Sequence, residues 1–369
     1  MNNSGSEDEL SQEYVPIILS PRNPADIKTI KQLKKNVAVL VFDTITSQVD
    51  ELSKIDNPTI QMAPGQLLEM RQKYYSERQL TPEEVGNWIY YPWRKTLIRI
   101  LEEDEFIRLR TSRNKYKITH EEQALLSKKK IGVIGLSVGQ SVAVSLAMER
   151  CFGELRIADF DTLDLSNVNR IRTGLFNLGL KKTTIVAREI SEIDPYLKVT
   201  LFNEGINEQN IHDFFTLGGE IDVLVEECDS LAIKIASRVK AKALQIPVLM
   251  DTSDRGMMDI ERFDLQKDRP IFHGLLEAFG DENQLLYHLP EKAREMMMSL
   301  LQFENLSDRV KYSFSEIGKS ITTWPQLASS VIMGGAACCH YCRMILLKQP
   351  VESGRFYIDL ELLINSHEG

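Results

Sequence analysis

Between Ile131 and Ser253 the chain alternates short, continuous apolar runs with longer amphipathic windows. The runs IGVIG, ELRIADFD, LKVTLFN, IDVLVEEC and PVLMDTS lack the in/out alternation of a half-exposed strand, so they predict strands covered on both faces. The intervening windows, Val138 to Glu149, KTTIVAREISEID and IKIASRVKAKALQ, repeat apolar residues at helical spacing. A βαβα order of this kind predicts an α/β protein with a Rossmann-like, doubly wound, mainly parallel sheet. Upstream, YVPIILSPRNPADIKTIKQLKKNVAVLVFDTITSQVDEL reads as apolar run, helix, strand and helix, with the strand at Val37 to Phe42. From Gly65 to Leu109 the pattern predicts helix, with Leu67, Leu68, Met70 and Tyr74 on one face. The cluster Trp88, Tyr90, Tyr91 and Trp93 is expected to pack a core rather than hold a ligand. Past Asp254 the alternation breaks into a Met-rich helix around Arg294 to Leu301, an apolar helix after Pro325 and a final strand in FYIDLELLIN. Residues 1–107 therefore form a small N-terminal α/β domain, with 1–13 expected as a mobile tail, and residues 108–369 form the doubly wound domain.

Charge adds a contrast. The 44 Lys+Arg against 53 Asp+Glu give a net charge of −9, which argues against nucleic acid or an anionic membrane as the general partner. Yet RLRTSRNKYK, Arg108 to Lys117, carries five basic residues and no acid. Thr119 stands three residues before Glu122, the spacing of a capping box opening the helix EEQALLSK. No apolar stretch reaches the roughly 18 residues of a membrane span. The polar, acidic start has neither the basic nor the apolar region of a secretory signal, so a cytoplasmic protein is expected. The five cysteines, with Cys338, Cys339 and Cys342 clustered, are odd in number and are expected as free thiols.

The chemistry begins at the first strand-to-helix turn. GLSVGQ places Gly135, Ser137 and Gly139 where backbone N–H groups meet a phosphate at a helix N-terminus. Asp159, 24 residues after Gly135, ends the second strand, where a carboxylate accepts hydrogen bonds from a nucleotide's ribose. The longer string Asp159-Phe-Asp161, Asn167-Val-Asn-Arg170, Gly179-Leu-Lys-Lys182 and Glu227-Cys-Asp229 resembles the ThiF/MoeB/HesA family, the ubiquitin-activating-enzyme-like adenylyltransferases. Arg110-Thr-Ser-Arg113-Asn114 matches that family's R-x-x-R-[NQ]. SSVIMGGAACCHYCRMILLK looks like its late core helix.

The resemblance implies ATP and Mg²⁺ as cofactors and a carboxylate attacking the α-phosphorus, with pyrophosphate leaving. A carboxylate is already ionised at neutral pH, so such a site needs charge neutralisation and in-line positioning rather than a general base. In the family's terms Asp159 binds the ribose with Asp161 beside it. Asn167, Arg170 and Lys182 contact the triphosphate, and Asp229 holds Mg²⁺. Arg113 belongs to a basic finger that reaches the ATP site of a second subunit, implying a homodimer. The implied partner is a small protein or peptide with a free C-terminal carboxylate.

This sequence also departs from the family. Ser137 and Val138 replace two glycines of a denser turn, and Val138 is expected to narrow the approach to the phosphates. Only Cys339-His-Tyr-Cys342 remains where many relatives pair two CxxC motifs on zinc, and burial is the expected role. Cys228 is read as core rather than as a thioester nucleophile, and His273 as structural. VEECDS and the segment from LMDTSDRG to PIFHG are similar to a bacterial subgroup in which a nitroreductase-like domain can follow; none is expected within the 369 residues of this sequence. A catalytically silent partner or scaffold and an NAD(P)-dependent oxidoreductase are the competing functions.

Overall fold

The computed structural model describes residues 13–365. The expected tail at residues 1–13 thus lies, apart from Glu13, outside the described residues. Two compact units divide the chain, one of residues 1–120 with 190–196 and one of residues 121–189 with 197–369.

The first unit is a four-stranded sheet with helices. Its strands are β1 (Ile17–Leu19), β2 (Leu40–Asp43), β3 (Asn87–Tyr91) and β4 (Thr96–Ile100), in the order β1-β3-β4-β2. Helices α1 (Pro24–Lys35), α2 (Ile45–Asp56), α3 (Pro64–Arg78) and α4 (Glu103–Arg110) accompany it. Asn23 accepts a bond from Ala25 N and caps α1, with Pro24 at the first helical position. The helix predicted from Gly65 to Leu109 is corrected. It stops at Arg78, and Asn87–Tyr91 and Thr96–Ile100 form an antiparallel hairpin. Gly86, at φ +72°, breaks the helical path, and the aromatic and β-branched residues that follow favour the pleated surface. α3 buries none of its residues. Trp88, by contrast, packs with Leu19, Ile30, Val39 and Leu97, so that part of the aromatic cluster does form core. Arg99, buried beside it, donates to Val85 O at 3.0 Å and pairs with Asp43 at 3.2 Å.

The second unit opens with α5 (His120–Leu126) and carries the doubly wound sheet. Its strands are β5 (Lys130–Ile134), β6 (Glu154–Ala158), β7 (Lys198–Phe202), β8 (Val223–Glu226), β9 (Val248–Asp251), β10 (Met257–Glu261) and β11 (Gly354–Tyr357). The order is β11-β10-β9-β8-β5-β6-β7; the five strands from β9 to β7 are parallel, and β10 and β11 are antiparallel additions. Ile131, Val133, Leu155, Ile157, Val223 and Val225 are fully buried, as continuous apolar runs require. The connecting helices are α6 (Gly139–Glu149), α7 (Lys182–Ile193), α8 (Ile211–Thr216) and α9 (Leu231–Ala243). After β10 come α10 (Leu285–Leu301), α11 (Asp308–Glu316) and α12 (Ala328–Leu346). Gly334 lets α12 lie against the end of β9: a Cβ there would stand 1.9 Å from Asp251 Oδ2.

The chain runs from β5 outward to β6 and β7, then returns to the other side of β5 for β8 and β9. β5 is therefore the switch point, and a crevice opens at the carboxyl ends of β5, β6 and β8. The terminal strand predicted through FYIDLELLIN is also corrected. β11 ends at Tyr357, and α13 (Leu360–Asn365) follows because Asp359 Oδ1 accepts from Glu361 N at 3.0 Å and Leu362 N at 3.2 Å. A capping carboxylate before LELLIN starts a helix whatever the apolar content of the run. Among the described residues no helix is long and apolar enough to cross a membrane.

Candidate active site

The turn between β5 and α6 is held from two sides. Gly135 has φ +85°, and its N–H donates to Ala158 O at 2.9 Å. Leu136 N donates to Asp159 Oδ2 at 2.7 Å, and Asp161 N to Asp159 Oδ1 at 2.8 Å. Asp159, buried at the end of β6, thereby fixes both the glycine turn and its own loop. Burial pushes its carboxyl above the usual range, and Lys182 partly offsets this. Each Asp159 oxygen keeps one lone pair for a ligand. α6 starts at Gly139 with no side-chain cap from Val138; instead the turn closes on itself, Gly139 N donating to Gly135 O at 3.2 Å and Ser141 N to Val138 O at 3.0 Å. Val138 has φ −102° and ψ −44°, an ordinary backbone conformation for a β-branched residue, and its side chain is buried. Replacing a glycine there costs no strain.

Two adjacent lysines separate cleanly. Lys182 Nζ donates to Asp161 Oδ2 at 2.7 Å and Ser137 Oγ at 3.2 Å, which places the ammonium on the glycine turn. Lys181 Nζ instead donates to the carbonyls of Phe160 at 2.8 Å and Asn203 at 3.3 Å.

The loop after Asp161 carries Asn167 and Arg170. Asn167 Oδ1 accepts from Asp164 N at 3.1 Å, closing the turn that leads to Arg170. Arg170 Nη1 donates to Asn169 Oδ1 at 3.0 Å, whereas its buried Nε has no hydrogen-bond partner among the described residues. Burial lowers the Arg170 pKa, and Asp229 opposes that shift, so these two charges sense one another. A half-buried guanidinium with a spare donor has the chemistry of an anion site. Gln140, the second residue of α6, clamps this loop: its Nε2 donates to Arg172 O at 2.7 Å and its Oε1 accepts from Arg172 N at 2.8 Å. Sequence reasoning passed over Gln140; its signal was a polar residue on the buried side of an apolar helix.

Asp229 is exposed just beyond β8, on a segment anchored from below. Glu226 Oε1 accepts from Cys228 N at 2.8 Å, and both Glu226 oxygens meet Lys234 Nζ at 3.1 Å. Arg238 joins Glu226 at 2.6 Å to Glu261 at 2.5 Å. Burial opposes ionisation of Glu226, but Lys234 and Arg238 outweigh it and hold its carboxyl below the usual range. Removing one member of such a buried network is far costlier than the network's net contribution.

Glu227 and Asp251 form a second buried acid pair, also missed from sequence. Asp251 N donates to Glu227 Oε1 at 2.9 Å. Burial, and then Asp251, raise the Glu227 carboxyl well above its usual range, while burial raises Asp251 to about 6. A raised carboxyl favours the fold most when protonated. The Asp251 contribution is thus fully present below about pH 4 and is lost as pH rises through about 6. Urea titrations of wild type and Asp251→Asn between pH 4 and 7.5 check this. The wild type is expected to lose roughly 2–3 kcal/mol more stability than the variant over that range; parallel profiles contradict it.

A cavity of about 280 Å³ opens beside this acid pair, with Val138, Cys228 and Asp229 among its lining residues. Other predicted residues lie elsewhere. Arg113 is exposed on the turn Ser112–Asn114 of the first unit. Cys338, Cys339 and Cys342 are buried in α12, and Cys339, Cys151 and Glu149 bring ligand atoms within 4.8 Å of one another. The neighbouring Cys151, followed by burial, pushes the Cys339 thiol up, and Glu149 is paired with Arg343. Cys228 packs against the core, and burial likewise suppresses its ionisation. His273 bridges Asp259 at 3.0 Å and Arg269 at 2.8 Å.

A doubly wound sheet with a glycine turn, an acid ending β6 and cations gathered at the switch point defines an α/β protein of nucleotide-binding type. The chain carries a ThiF-family domain: residues 111–288 match the model of the ThiF family. Uncharacterized protein MT1398 of Mycobacterium tuberculosis (strain CDC 1551 / Oshkosh) is 42% identical over 77% of this chain and 39% of its own length. A tRNA threonylcarbamoyladenosine dehydratase of Bacillus subtilis (strain 168) is 26% identical over 42% of this chain and 60% of its own. The molybdopterin-synthase adenylyltransferase of Escherichia coli (strain K12) is 21% identical over 62% of this chain and 87% of its own. The chain thus spans less than two thirds of the length of the first two relatives.

Proposed function

We propose that the protein is an ATP-dependent adenylyltransferase that activates a carboxylate, at the C-terminus of a small protein or peptide, as acyl-AMP. The observation that carries this reading is a pair of cations: Lys182 on Ser137 of the glycine turn, and Arg170, whose buried Nε is unpartnered among the described residues, near Asp229. The family match and the adenylyltransferase among the relatives support it.

In the reaction a carboxylate oxygen attacks the α-phosphorus. The new bond is P–O to the acyl group, the bond to the bridging oxygen of pyrophosphate breaks, and pyrophosphate leaves with that electron pair. No proton moves. Asp159 holds the ribose, Ser137 and Asn167 orient the phosphates, and Lys182 and Arg170 balance the negative charge of two approaching anions. Asp229, whose carboxylate makes no hydrogen bond to the described residues, is free to hold Mg²⁺. That ion takes one or two carboxylates beside phosphate oxygens and neutralises their charge. Arg113, from the first unit, serves the site of a second copy, which makes the active form a homodimer. A cytoplasmic location completes the proposal.

The test is ATP–pyrophosphate exchange with a panel of free-C-terminal peptides and small proteins. Acceptor-dependent exchange is expected, and Asp229→Ala should abolish it. Undiminished exchange in Asp229→Ala removes the metal assignment, and exchange that depends on tRNA instead of a peptide moves the reading toward the dehydratase relatives.

A further inference from the structure

We infer that the cavity beside Asp229 receives the side chain of the residue bearing the reacting carboxylate, and that it selects a large, ring-sized side chain over glycine. The inference rests on the adenylation reading for where the carboxylate lies. The choice of side chain rests on the cavity itself.

The switch point sets the geography. Asp159 and Lys182 occupy the β6 side of the glycine turn, whereas the cavity lies on the β8 and β9 side, with Val138 and Asp229 at its phosphate end. A carboxylate approaching the α-phosphorus from that side leads its own side chain into the cavity. At about 280 Å³ the space is nearly twice the roughly 150 Å³ apolar cavity that is enough to bind benzene. Glycine would leave it empty.

Its walls include Met250, Met257, Met297, Leu300, Trp324 and Tyr357. Three thioethers give an adaptable lining, and Trp324, braced edge-on by Phe314 at 4.4 Å, gives a flat one. Several charged lining residues are held by protein partners, although Arg355 Nη2 and Asp251 Oδ1 are buried without a hydrogen-bond partner among the described residues. Lys234 is held by Glu226 at 3.1 Å, and Arg355 by Asp259 at 2.7 Å. Asp254 accepts from Ser307 N at 2.9 Å and Ser307 Oγ at 2.7 Å. Asp251 accepts from Ser253 Oγ at 3.1 Å and packs beneath α12 at Gly334. An aromatic substrate side chain exchanges water for methionine and leucine on entering.

Exchange is measured with acetylated Gly-Gly-X peptides, where X is Gly, Ala, Leu, Phe, Trp, Lys or Glu. Phe or Trp is expected to exceed Gly by about tenfold or more in kcat/KM. Leu300→Trp, which fills the cavity, should reduce that ratio about tenfold. Equal or better use of Gly, or preference for Lys or Glu, overturns the inference. A second readout does not depend on turnover: saturation-transfer NMR with N-acetyl-tryptophan. Saturable binding to wild type that Leu300→Trp abolishes supports the cavity's role even if no peptide is adenylated; absence of saturable binding overturns it. Calorimetric titration with ATP, run in parallel, reports separately on the nucleotide site.

Discussion

Lys182→Ala is expected to lower acceptor-dependent ATP–pyrophosphate exchange about 100- to 1,000-fold, the usual cost of deleting one preorganised electrostatic donor. The ammonium is buried at the glycine turn, held by Asp161 and Ser137, so it needs no reorganisation to meet a phosphate. Its structural role is small by comparison. The partner Asp161 is half exposed, and pairs of that kind are worth about 1 kcal/mol or less. The variant should therefore melt within a few degrees of wild type while exchange collapses. Lys182→Arg should recover part of the rate, and Lys181→Ala, which removes bonds only to Phe160 and Asn203 carbonyls, should cost far less. Comparable losses in Lys181→Ala and Lys182→Ala, with melting unchanged in both, would show that the ammonium on Ser137 has no special place.

Gly135→Val should remove ATP binding and destabilise the second unit. Two costs combine there. At φ +85° a non-glycine residue pays about 1–2 kcal/mol in backbone strain. A Cβ would also stand 2.7 Å from Cys228 N and the Glu227 carbonyl, which are backbone atoms of the segment that carries Asp229. Overpacking of that kind adds about 1–3 kcal/mol. Because the clash is with the β8 loop, it separates the glycine turn from Asp229 even in molecules that fold. Calorimetric titration with ATP and urea unfolding measure the two effects. Val138→Gly, at an ordinary backbone position, is the contrast: it should leave ATP binding within a few-fold of wild type.

The parallel sheet was legible because each of its strands is a self-contained apolar run, and burial on both faces leaves no other reading of IGVIG or IDVLVE. The N-terminal hairpin was not. Trp88 to Ile100 has aromatic and β-branched residues beside a genuinely helical stretch, and the break is marked only by Pro82, Gly86 and Pro92. The last strand failed for a local reason, since Asp359 caps a helix that apolar content alone disguises. At the site, the string from Asp159 to Lys182 was legible through its resemblance to the ThiF/MoeB/HesA family, and the fold brings Asp159, Asp161, Lys182 and Ser137 into one bonded group. What stayed hidden was support from afar. Gln140 gains its meaning from Arg172, Glu226 from Arg238 and Glu261, and Glu227 from Asp251. Nothing in the local sequence of those residues names their partners.

The buried acids also explain how an exposed Asp229 can be held in place without direct bonds of its own. Its segment is pinned by Glu226 through Cys228 N and by Glu227 through Asp251 N, so the position of Asp229 follows from two carboxylates that never reach solvent.

The central claim is that a carboxylate oxygen attacks the α-phosphorus of ATP. It is tested most directly by isotope transfer. The peptide that best supports exchange is labelled with ¹⁸O in its C-terminal carboxylate and incubated with ATP, the protein and hydroxylamine, and the AMP is weighed. Attack and subsequent cleavage of the acyl C–O bond predict AMP carrying one ¹⁸O. Unlabelled AMP, or ADP in its place, contradicts the account.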